Sequence, residues 1–194
     1  MQVLVTGFEP FGGDDENASA AAVGALRGVA TGILPVEFGA SGARLLELVA
    51  EHGPDVVMCV GEAGLRRHVC VERRARNLIE ARIPDNAGVQ PHGEVIDPSR
   101  PDWLETSLDV AKLAGNDAVV SDDAGLFVCN YLYFRALADL DVPAVFVHVP
   151  AVRTRGHASV GAETDDSTEA GPLPTVGEIV VTLEGLVASV RNGH

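Results

Sequence analysis

The sequence has few basic residues. Of its 194 residues, 14 are Lys or Arg and 28 are Asp or Glu, so the formal net charge is −14. Lys112 is the only lysine, and no basic run occurs. Contacts with nucleic-acid phosphates and with anionic membrane surfaces need clustered Lys and Arg. We therefore expect neither nucleic acid nor a membrane as a partner.

Cysteine and long apolar runs are also scarce. The chain has three cysteines, Cys59, Cys70 and Cys129. An odd number of cysteines argues against a disulfide framework, and the spacing of these three does not match a zinc site. No apolar run approaches the roughly 20 residues that a membrane-spanning helix needs. The N-terminus shows no signal-peptide pattern. The sequence therefore predicts a protein of the reducing cytoplasm that has no metal site.

Short β-branched segments alternate with segments of helical periodicity, a pattern typical of an α/β domain with helices on both sides of a largely parallel sheet. The length suits one domain, spanning residues 1–194. Residues 80–101 predict a long loop, and residues 151–174, which are polar, Gly-rich and acidic, predict a mobile loop. Strands are predicted at 2–6, 33–38, 55–60, 69–71, 118–121 and 144–149, and helices at 20–26, 45–49, 103–113, 132–140 and 176–190.

Cys129 lies between the strand predicted at residues 118–121 and the helix that follows. A helix N-terminus offers unpaired N–H groups and a partial positive charge, which favour a thiolate over a thiol. Cys129 is therefore a candidate nucleophile, although a free cysteine is more often a small buried residue of the core.

His148 ends a predicted strand of apolar residues. It is either a satisfied core histidine or a base that faces the same crevice as Cys129. A Cys–His hydrolase needs both groups at neighbouring strand ends, together with a third group that orients the imidazole. Glu72 is one candidate for that third group, but from the residues alone a surface salt bridge with Arg73 or Arg74 is the better interpretation.

The loop at residues 7–13 follows the first predicted strand and contains Phe8 and Phe11. It lacks the Gly-Lys-Ser/Thr ending of a phosphate-binding loop. Two phenylalanines in a loop suit either the apolar wall of a small-ligand pocket or plain packing.

Five motifs follow one another in an order typical of one enzyme family. They are Val5-Thr6-Gly7-Phe8-Glu9-Pro10-Phe11-Gly12-Gly13, Glu72-Arg73 with Asn77, Ala81-Arg82-Ile83-Pro84-Asp85-Asn86 with Gly88, Gln90 and Pro91, Ala124-Gly125 with Phe127-Val128-Cys129-Asn130, and His148 with Pro150. In these motifs the chain resembles pyroglutamyl peptidase I, also called pyrrolidone-carboxylate peptidase. That family consists of cytosolic cysteine exopeptidases that remove an N-terminal pyroglutamyl residue from peptides. The resemblance runs from the first strand to His148 and is loose in the tail.

The resemblance implies roles for particular residues. Cys129 matches the nucleophile, His148 the base and Glu72 the residue that orients the histidine. Arg82 matches an arginine of the active-site loop, near the oxyanion. The residues that the resemblance assigns to substrate binding are Phe8, Phe11, Asn17, Glu62, Ile83, Phe127 and Val128.

The resemblance also implies an architecture and a set of partners. The architecture is a single-domain, three-layer α/β/α sandwich with a largely parallel, mixed central sheet. The partners are peptides with an N-terminal pyroglutamate, and further copies of the chain in a homo-oligomer, either a tetramer or a dimer. No metal or cofactor is implied.

The chain departs from the family's pattern near the expected site. Glu62 stands where the family commonly has Gln, and a carboxylate cannot donate a hydrogen bond to a lactam. Asp122 and Asp123 stand where a small or hydroxylated residue is usual, and they would raise the pKa of Cys129 if they faced the cleft. The remaining departures are Leu65 in place of a glycine and Arg74 and Arg76 in a normally apolar stretch.

These departures keep alternatives to a pyroglutamyl peptidase open. One is a related amidase with altered acyl specificity. Another is a non-catalytic small-ligand-binding protein on the same scaffold, in which Cys129 would stay protonated. A third, a nucleoside- or phosphate-binding α/β protein, fits the acidic balance poorly.

Overall fold

The computed structural model describes residues 1–153 and 172–193. Within these residues the chain forms ten strands and five helices. The strands are β1 (Val3–Phe8), β2 (Ala30–Leu34), β3 (Val56–Ala63), β4 (Cys70–Glu72), β5 (Arg74–Arg76), β6 (Ile79–Glu80), β7 (His92–Glu94), β8 (Trp103–Glu105), β9 (Val119–Ser121) and β10 (Ala144–Pro150). The helices are α1 (Ala18–Ala25), α2 (Ala40–His52), α3 (Val110–Ala114), α4 (Val128–Asp139) and α5 (Val176–Arg191).

Six strands form the central sheet in the order β2-β1-β3-β10-β4-β9. Neighbouring strands are parallel except for β10 and β4, which pair antiparallel. Strands β1, β3 and β10 are buried along their whole length, as expected where helices cover both faces of a sheet. Two small sheets, β5 with β8 and β6 with β7, complete the described part of the chain.

Side chains of the central strands alternate between two apolar layers, because successive residues of a strand point to opposite faces. Val3 and Val5 of β1 belong to the layer formed with α1, α3 and α5, whereas Leu4 belongs to the layer formed with α2 and α4. The result is a three-layer α/β/α domain with a mixed, mostly parallel sheet. The predicted fold class is confirmed.

The ends of the helices follow local chemistry. The side chain of Asn17 accepts a hydrogen bond from the Ser19 N–H at 2.9 Å and caps α1. Thr175 and Glu178 form a reciprocal capping box at the start of α5. Gly53 ends α2 in the left-handed conformation, with φ of 52°, which glycine adopts without a steric cost.

The register of the sheet brings together residues that lie far apart in the chain. His148 of β10 lies opposite Gly61 of β3 on one side and opposite Cys70 of β4 on the other. Glu72 lies opposite Phe146, two positions before His148. Since residues two apart on a strand share a face, Glu72 and His148 lie on the same face of the sheet. It is the face that α4 covers, because Phe146 packs in the layer of α2 and α4.

The helix predicted at residues 103–113 is wrong in its first half. Trp103–Glu105 forms β8 and pairs antiparallel with β5, and the helix begins only at Val110, after the cap at Asp109. The indole ring of Trp103 lies 4.3 Å from the guanidinium carbon of Arg74. This tertiary contact and the ladder with β5 outweigh the helical spacing of the local sequence.

Three further predictions concern the second strand and two irregular segments. The second strand covers Ala30–Leu34 rather than residues 33–38, because Pro35 has no N–H group for the ladder. Residues 80–101 are irregular, as predicted, apart from the short strand β7 and the end of β6. Of the loop predicted at residues 151–174, residues 154–171 lie outside the described residues. No helix in the described part of the chain is long and apolar enough to cross a bilayer.

Candidate active site

Cys129 lies in the first turn of α4, as the sequence predicted. Phe127, which precedes the helix, makes no side-chain cap, and the first N–H groups of a helix have no acceptor within it. Since β9 runs antiparallel to β10, the carboxyl end of β9, the strand before α4, lies at the opposite edge of the sheet from the carboxyl end of β10. Residues 122–127 carry the chain back, so the N–H groups around Cys129 lie near the carboxyl end of β10.

Gly61 is the point where Cys129 meets the sheet. A Cβ atom added to Gly61 would lie 2.7 Å from Sγ of Cys129 and 2.7 Å from the ring of Phe146. No side chain fits there, so the absence of one at Gly61 lets the sulfur rest against β3. Because His148 is the register partner of Gly61, the sulfur lies on the sheet beside the imidazole.

His148 and Glu72 form a buried pair. The Nδ1 atom of His148 lies 2.8 Å from Oε1 of Glu72, and the two side chains are 5% and 0% exposed. A carboxylate can only accept a hydrogen bond, so Nδ1 carries the proton and Nε2 is the basic nitrogen. The surface salt bridge preferred for Glu72 from the residues alone is therefore wrong. Phe146 packs against the imidazole with ring centroids 4.8 Å apart.

Arg66 contacts the Glu72 carboxylate of this pair, and it was not among the site residues predicted from the sequence. One guanidinium nitrogen donates to Oε1 of Glu72, and the other donates to the backbone carbonyl of Asp123. Arg66 thus neutralises the buried carboxylate and also ties down the loop that leads to Cys129. A sequence signal did exist, because Arg66 lies in the stretch that follows a buried strand at the sheet edge where ligand sites gather.

The charges around the sulfur disfavour a resting thiolate. Burial raises the pKa of the Cys129 thiol well above its ordinary value, and the Glu72 and Glu62 carboxylates raise it further, while Arg66 lowers it. Cys129 as a residue keeps partial exposure, but its sulfur lies against Gly61. The thiol is thus the dominant form near neutral pH, in spite of the helix N-terminus.

Asp122 and Asp123 do not cause this effect, because both are exposed. Asp122 pairs with Arg73 at 2.8 Å, and the Asp123 carboxylate accepts a hydrogen bond from the Gly125 N–H at 3.0 Å. The influence expected from this pair comes instead from the buried carboxylates Glu72 and Glu62.

A cavity opens beside Cys129 and His148. The space inside it, including the open solvent at its mouth, is about 510 Å³. The ring of Phe127 lies 6.2 Å from that of Phe11 and 5.5 Å from that of Phe38, and these aromatic contacts build an apolar wall. The residues that line the cavity are Phe8, Phe11, Asn17, Val36, Glu62, Ala63, Arg66, Ala124, Gly125, Phe127, Val128, Cys129 and His148.

Two polar side chains that line the cavity already make hydrogen bonds within the protein. Asn17 caps α1 and donates to the Glu9 carbonyl at 3.0 Å. The Glu62 carboxylate accepts from the Ala18 N–H at 2.7 Å and from both terminal nitrogens of Arg153, also at 2.7 Å. Both carboxylate oxygens of Glu62 are engaged, so its side chain serves the scaffold.

Arg82 and Ile83 are not among the residues that line this cavity. Arg82 is exposed, and Ile83 is half-buried against the core layer of α2 and α4. Their neighbours Asp85 and Asn86 have a structural role. Asp85 accepts the Phe38 N–H at 2.9 Å, and Asn86 donates to Glu9 at 2.8 Å. The motif thus supports the loops after β1 and β2.

Comparison with known proteins identifies the family. A family model described as pyroglutamyl peptidase matches residues 1–168, a span that contains Gly61, Glu72, Cys129 and His148. The chain belongs to the pyroglutamyl peptidase family.

Relatives and solved structures within the pyroglutamyl peptidase family agree. The pyrrolidone-carboxylate peptidase of Gloeobacter violaceus is 42% identical over 186 residues, which cover 84% of this chain and 91% of that protein. The crystal structure of Bacillus amyloliquefaciens pyroglutamyl peptidase I superposes with a TM-score of 0.88 at 32% identity, covering 98% of this chain and 97% of the other. The pyrrolidone carboxyl peptidase from Thermococcus litoralis gives a TM-score of 0.81 at 29% identity, with 98% and 93% coverage.

Proposed function

We propose that this protein is a cysteine-type peptidase that hydrolyses the amide bond after an N-terminal pyroglutamyl residue. One observation carries the proposal: the Cys129 sulfur rests against Gly61, beside the buried His148–Glu72 pair, at the wall of an apolar cavity. The proposed substrates are peptides that begin with pyroglutamate.

The cavity matches the chemistry of that substrate. The amine of an N-terminal pyroglutamate is closed into a lactam, so the residue has no ammonium group. An uncharged ring needs an apolar wall and a few hydrogen bonds to its amide. The phenylalanines Phe8, Phe11 and Phe127 supply the wall, while Glu62 is neutralised by Arg153 and presents no free charge to the ring.

The first half of the reaction forms a thioester. His148 takes the proton from the Cys129 thiol through Nε2 while the sulfur attacks the pyroglutamyl carbonyl carbon. The carbonyl oxygen becomes an oxyanion that the unpaired N–H groups at the start of α4, including that of Cys129, can stabilise. The carbon–nitrogen bond then breaks, and the leaving amine takes the proton from His148.

The second half releases the product. His148 removes a proton from a water molecule, whose oxygen attacks the thioester carbon. The carbon–sulfur bond breaks, pyroglutamate is freed, and the sulfur regains its proton from His148. Glu72 holds Nδ1 throughout and stabilises the imidazolium that forms in each half. Because the resting sulfur is a thiol, His148 acts as a general base and not merely as the partner of a preformed thiolate.

The other expectations about this enzyme remain predictions. Arg82 is expected near the oxyanion, the chain is expected to form a dimer or tetramer, and a cytoplasmic location is expected.

Hydrolysis of a pyroglutamyl-coupled chromophore by the purified protein tests the proposal. Cys129→Ser keeps the size of the side chain but replaces the nucleophile, and it should abolish release. Cys59→Ala removes a core thiol and should retain turnover. Release that survives Cys129→Ser would reject the covalent mechanism.

A non-catalytic binding protein is the second candidate, since the raised pKa of Cys129 suits an unreactive thiol. Slow alkylation of Cys129 at neutral pH is expected in both cases and does not distinguish them. The pyroglutamyl chromogenic substrate and its glutamyl and prolyl analogues do: a pyroglutamyl peptidase would cleave the first, an enzyme of altered acyl specificity would cleave one of the analogues, and a binding protein would cleave none.

A further inference from the structure

Arg153 links two acidic side chains beside the cavity. Its two terminal nitrogens donate to the two oxygens of Glu62 at 2.7 Å, and one of them also donates to Oδ2 of Asp14 at 2.6 Å. All three side chains are nearly buried, with exposures of 5%, 1% and 8%. The proposed mechanism uses none of them as nucleophile, acid or base.

At one end of this cluster, the Glu62 side chain fixes the part of the cavity lining that belongs to β3. Its carboxylate accepts the N–H of Ala18 at the start of α1, where the helix N-terminus favours negative charge. Glu62 follows Gly61 in β3, so fixing its side chain also fixes the strand against which the Cys129 sulfur rests.

At the other end, Asp14 holds a wall of the cavity. The N–H of Asp14 donates to the carbonyl of Phe11 at 3.2 Å and closes a turn over Gly12 and Gly13. These glycines have φ of 64° and 85°, a conformation that glycine adopts without steric cost. The turn presents Phe11, whose ring packs 6.2 Å from that of Phe127 across the cavity wall.

We infer that Arg153 is a positioning residue for substrate binding: by clamping Asp14 to Glu62 it holds the Phe11 turn against the end of β3. The inference rests on the proposed function, because the cavity is taken to receive the pyroglutamyl ring. Arginine suits this position because its planar fork can bond two carboxylates at once. Without that cation, two nearly buried carboxylates repel each other, and the Phe11 turn separates from the sheet.

Two variants break the clamp at different places. Arg153→Met removes the cation and keeps much of the side chain's length, and Asp14→Asn removes only the charge on the Phe11 turn. If the cavity is then formed in about one molecule in ten, KM for the pyroglutamyl chromophore rises about tenfold. kcat stays near the wild-type value, because the bound complex keeps Cys129, His148 and Glu72 in place.

Arg44→Met is the matched control, since it removes an arginine from an exposed ion pair with Glu47 on α2. It should leave KM and kcat unchanged. Arg153→Lys keeps the charge but loses the fork, and its KM should lie between those of wild type and Arg153→Met.

Hydrogen–deuterium exchange of residues 9–17 gives a readout that does not depend on turnover. Exchange there should be faster in Arg153→Met and Asp14→Asn than in wild type and in Arg44→Met. If the wild type hydrolyses no pyroglutamyl substrate, the proposed function fails, and the exchange rates alone decide whether Arg153 holds the Phe11 turn. Unchanged exchange in both variants, or a fall in kcat with KM unchanged, would overturn the inference. Should Arg153→Met fail to fold, the KM and the exchange rates of Asp14→Asn decide whether the clamp holds the Phe11 turn.

Discussion

Gly61→Ala is the sharpest test of how the nucleophile is placed. The added methyl carbon would lie 2.7 Å from Sγ of Cys129 and 2.7 and 2.9 Å from two ring carbons of Phe146. Atoms in contact normally lie about 3.5–4.0 Å apart, so the new group is roughly 1 Å too close. Phe146 is fully buried, and its ring packs against those of Phe8 and Tyr133. The sulfur is therefore the atom that moves.

A displacement of about 1 Å at a reacting atom can cost about 10²-fold in rate, and overpacking a core costs about 1–3 kcal/mol of stability. We expect Gly61→Ala to fold with a lowered melting temperature and to lose about 10²-fold in kcat/KM. The assay is release of the pyroglutamyl-coupled chromophore by protein whose melting curve shows it folded at the assay temperature.

Gly185→Ala is the matched control. Gly185 lies in α5, on the face of the sheet away from Cys129. Among the described residues, no atom apart from its chain neighbours and the backbone of its own helix lies within 4 Å of an added Cβ. This variant should keep full activity and gain roughly 0.5–1 kcal/mol in stability, because alanine suits a helix better than glycine. A folded Gly61→Ala protein with kcat/KM within about threefold of wild type would refute the placement of the sulfur against β3.

Three other predictions follow from the site and the core. Glu72→Gln should lower kcat by about 10³–10⁴-fold, because a neutral amide neither stabilises the imidazolium nor selects its tautomer; a loss under about tenfold would contradict this role. Arg66→Met should move the pH profile of Cys129 alkylation to higher pH, since Arg66 lowers the pKa of that thiol; an unmoved profile would argue against it. Burial raises the pKa of Cys59 from 9.0 to about 12, so the unfolded chain releases this proton first and stability falls between pH 9 and 12, by about 4 kcal/mol in all. Urea titrations should show a shallower fall for Cys59→Val, and equal slopes would count against the assignment.

The inner strands, the last helix and the fold class could be predicted from local sequence alone. β-Branched runs such as Val56-Val57-Met58-Cys59-Val60 predicted the inner strands, and the apolar spacing from Val176 to Val190 predicted α5. These features depend on side-chain periodicity within one segment. For the same reason the sequence placed Cys129 at the start of a helix and predicted the α/β fold class.

Local sequence failed where a distant partner decides the conformation. Residues 103–105 have helical spacing but form β8, because β5 offers a ladder and Arg74 covers Trp103. Glu72 looks like a surface residue beside two arginines, yet the strand register buries it against His148, 76 positions away.

The charged groups around the cavity depend on tertiary structure in the same way. Arg66 and Arg153 lie in irregular segments where no periodicity points to them, and Asp14 is 139 residues from the arginine that binds it. Periodicity within a segment determines which face of a strand or helix is apolar. Only the pairing of β3, β4 and β10 determines which buried charges meet, because a buried carboxylate is stable only beside the cation or imidazole that folding brings to it.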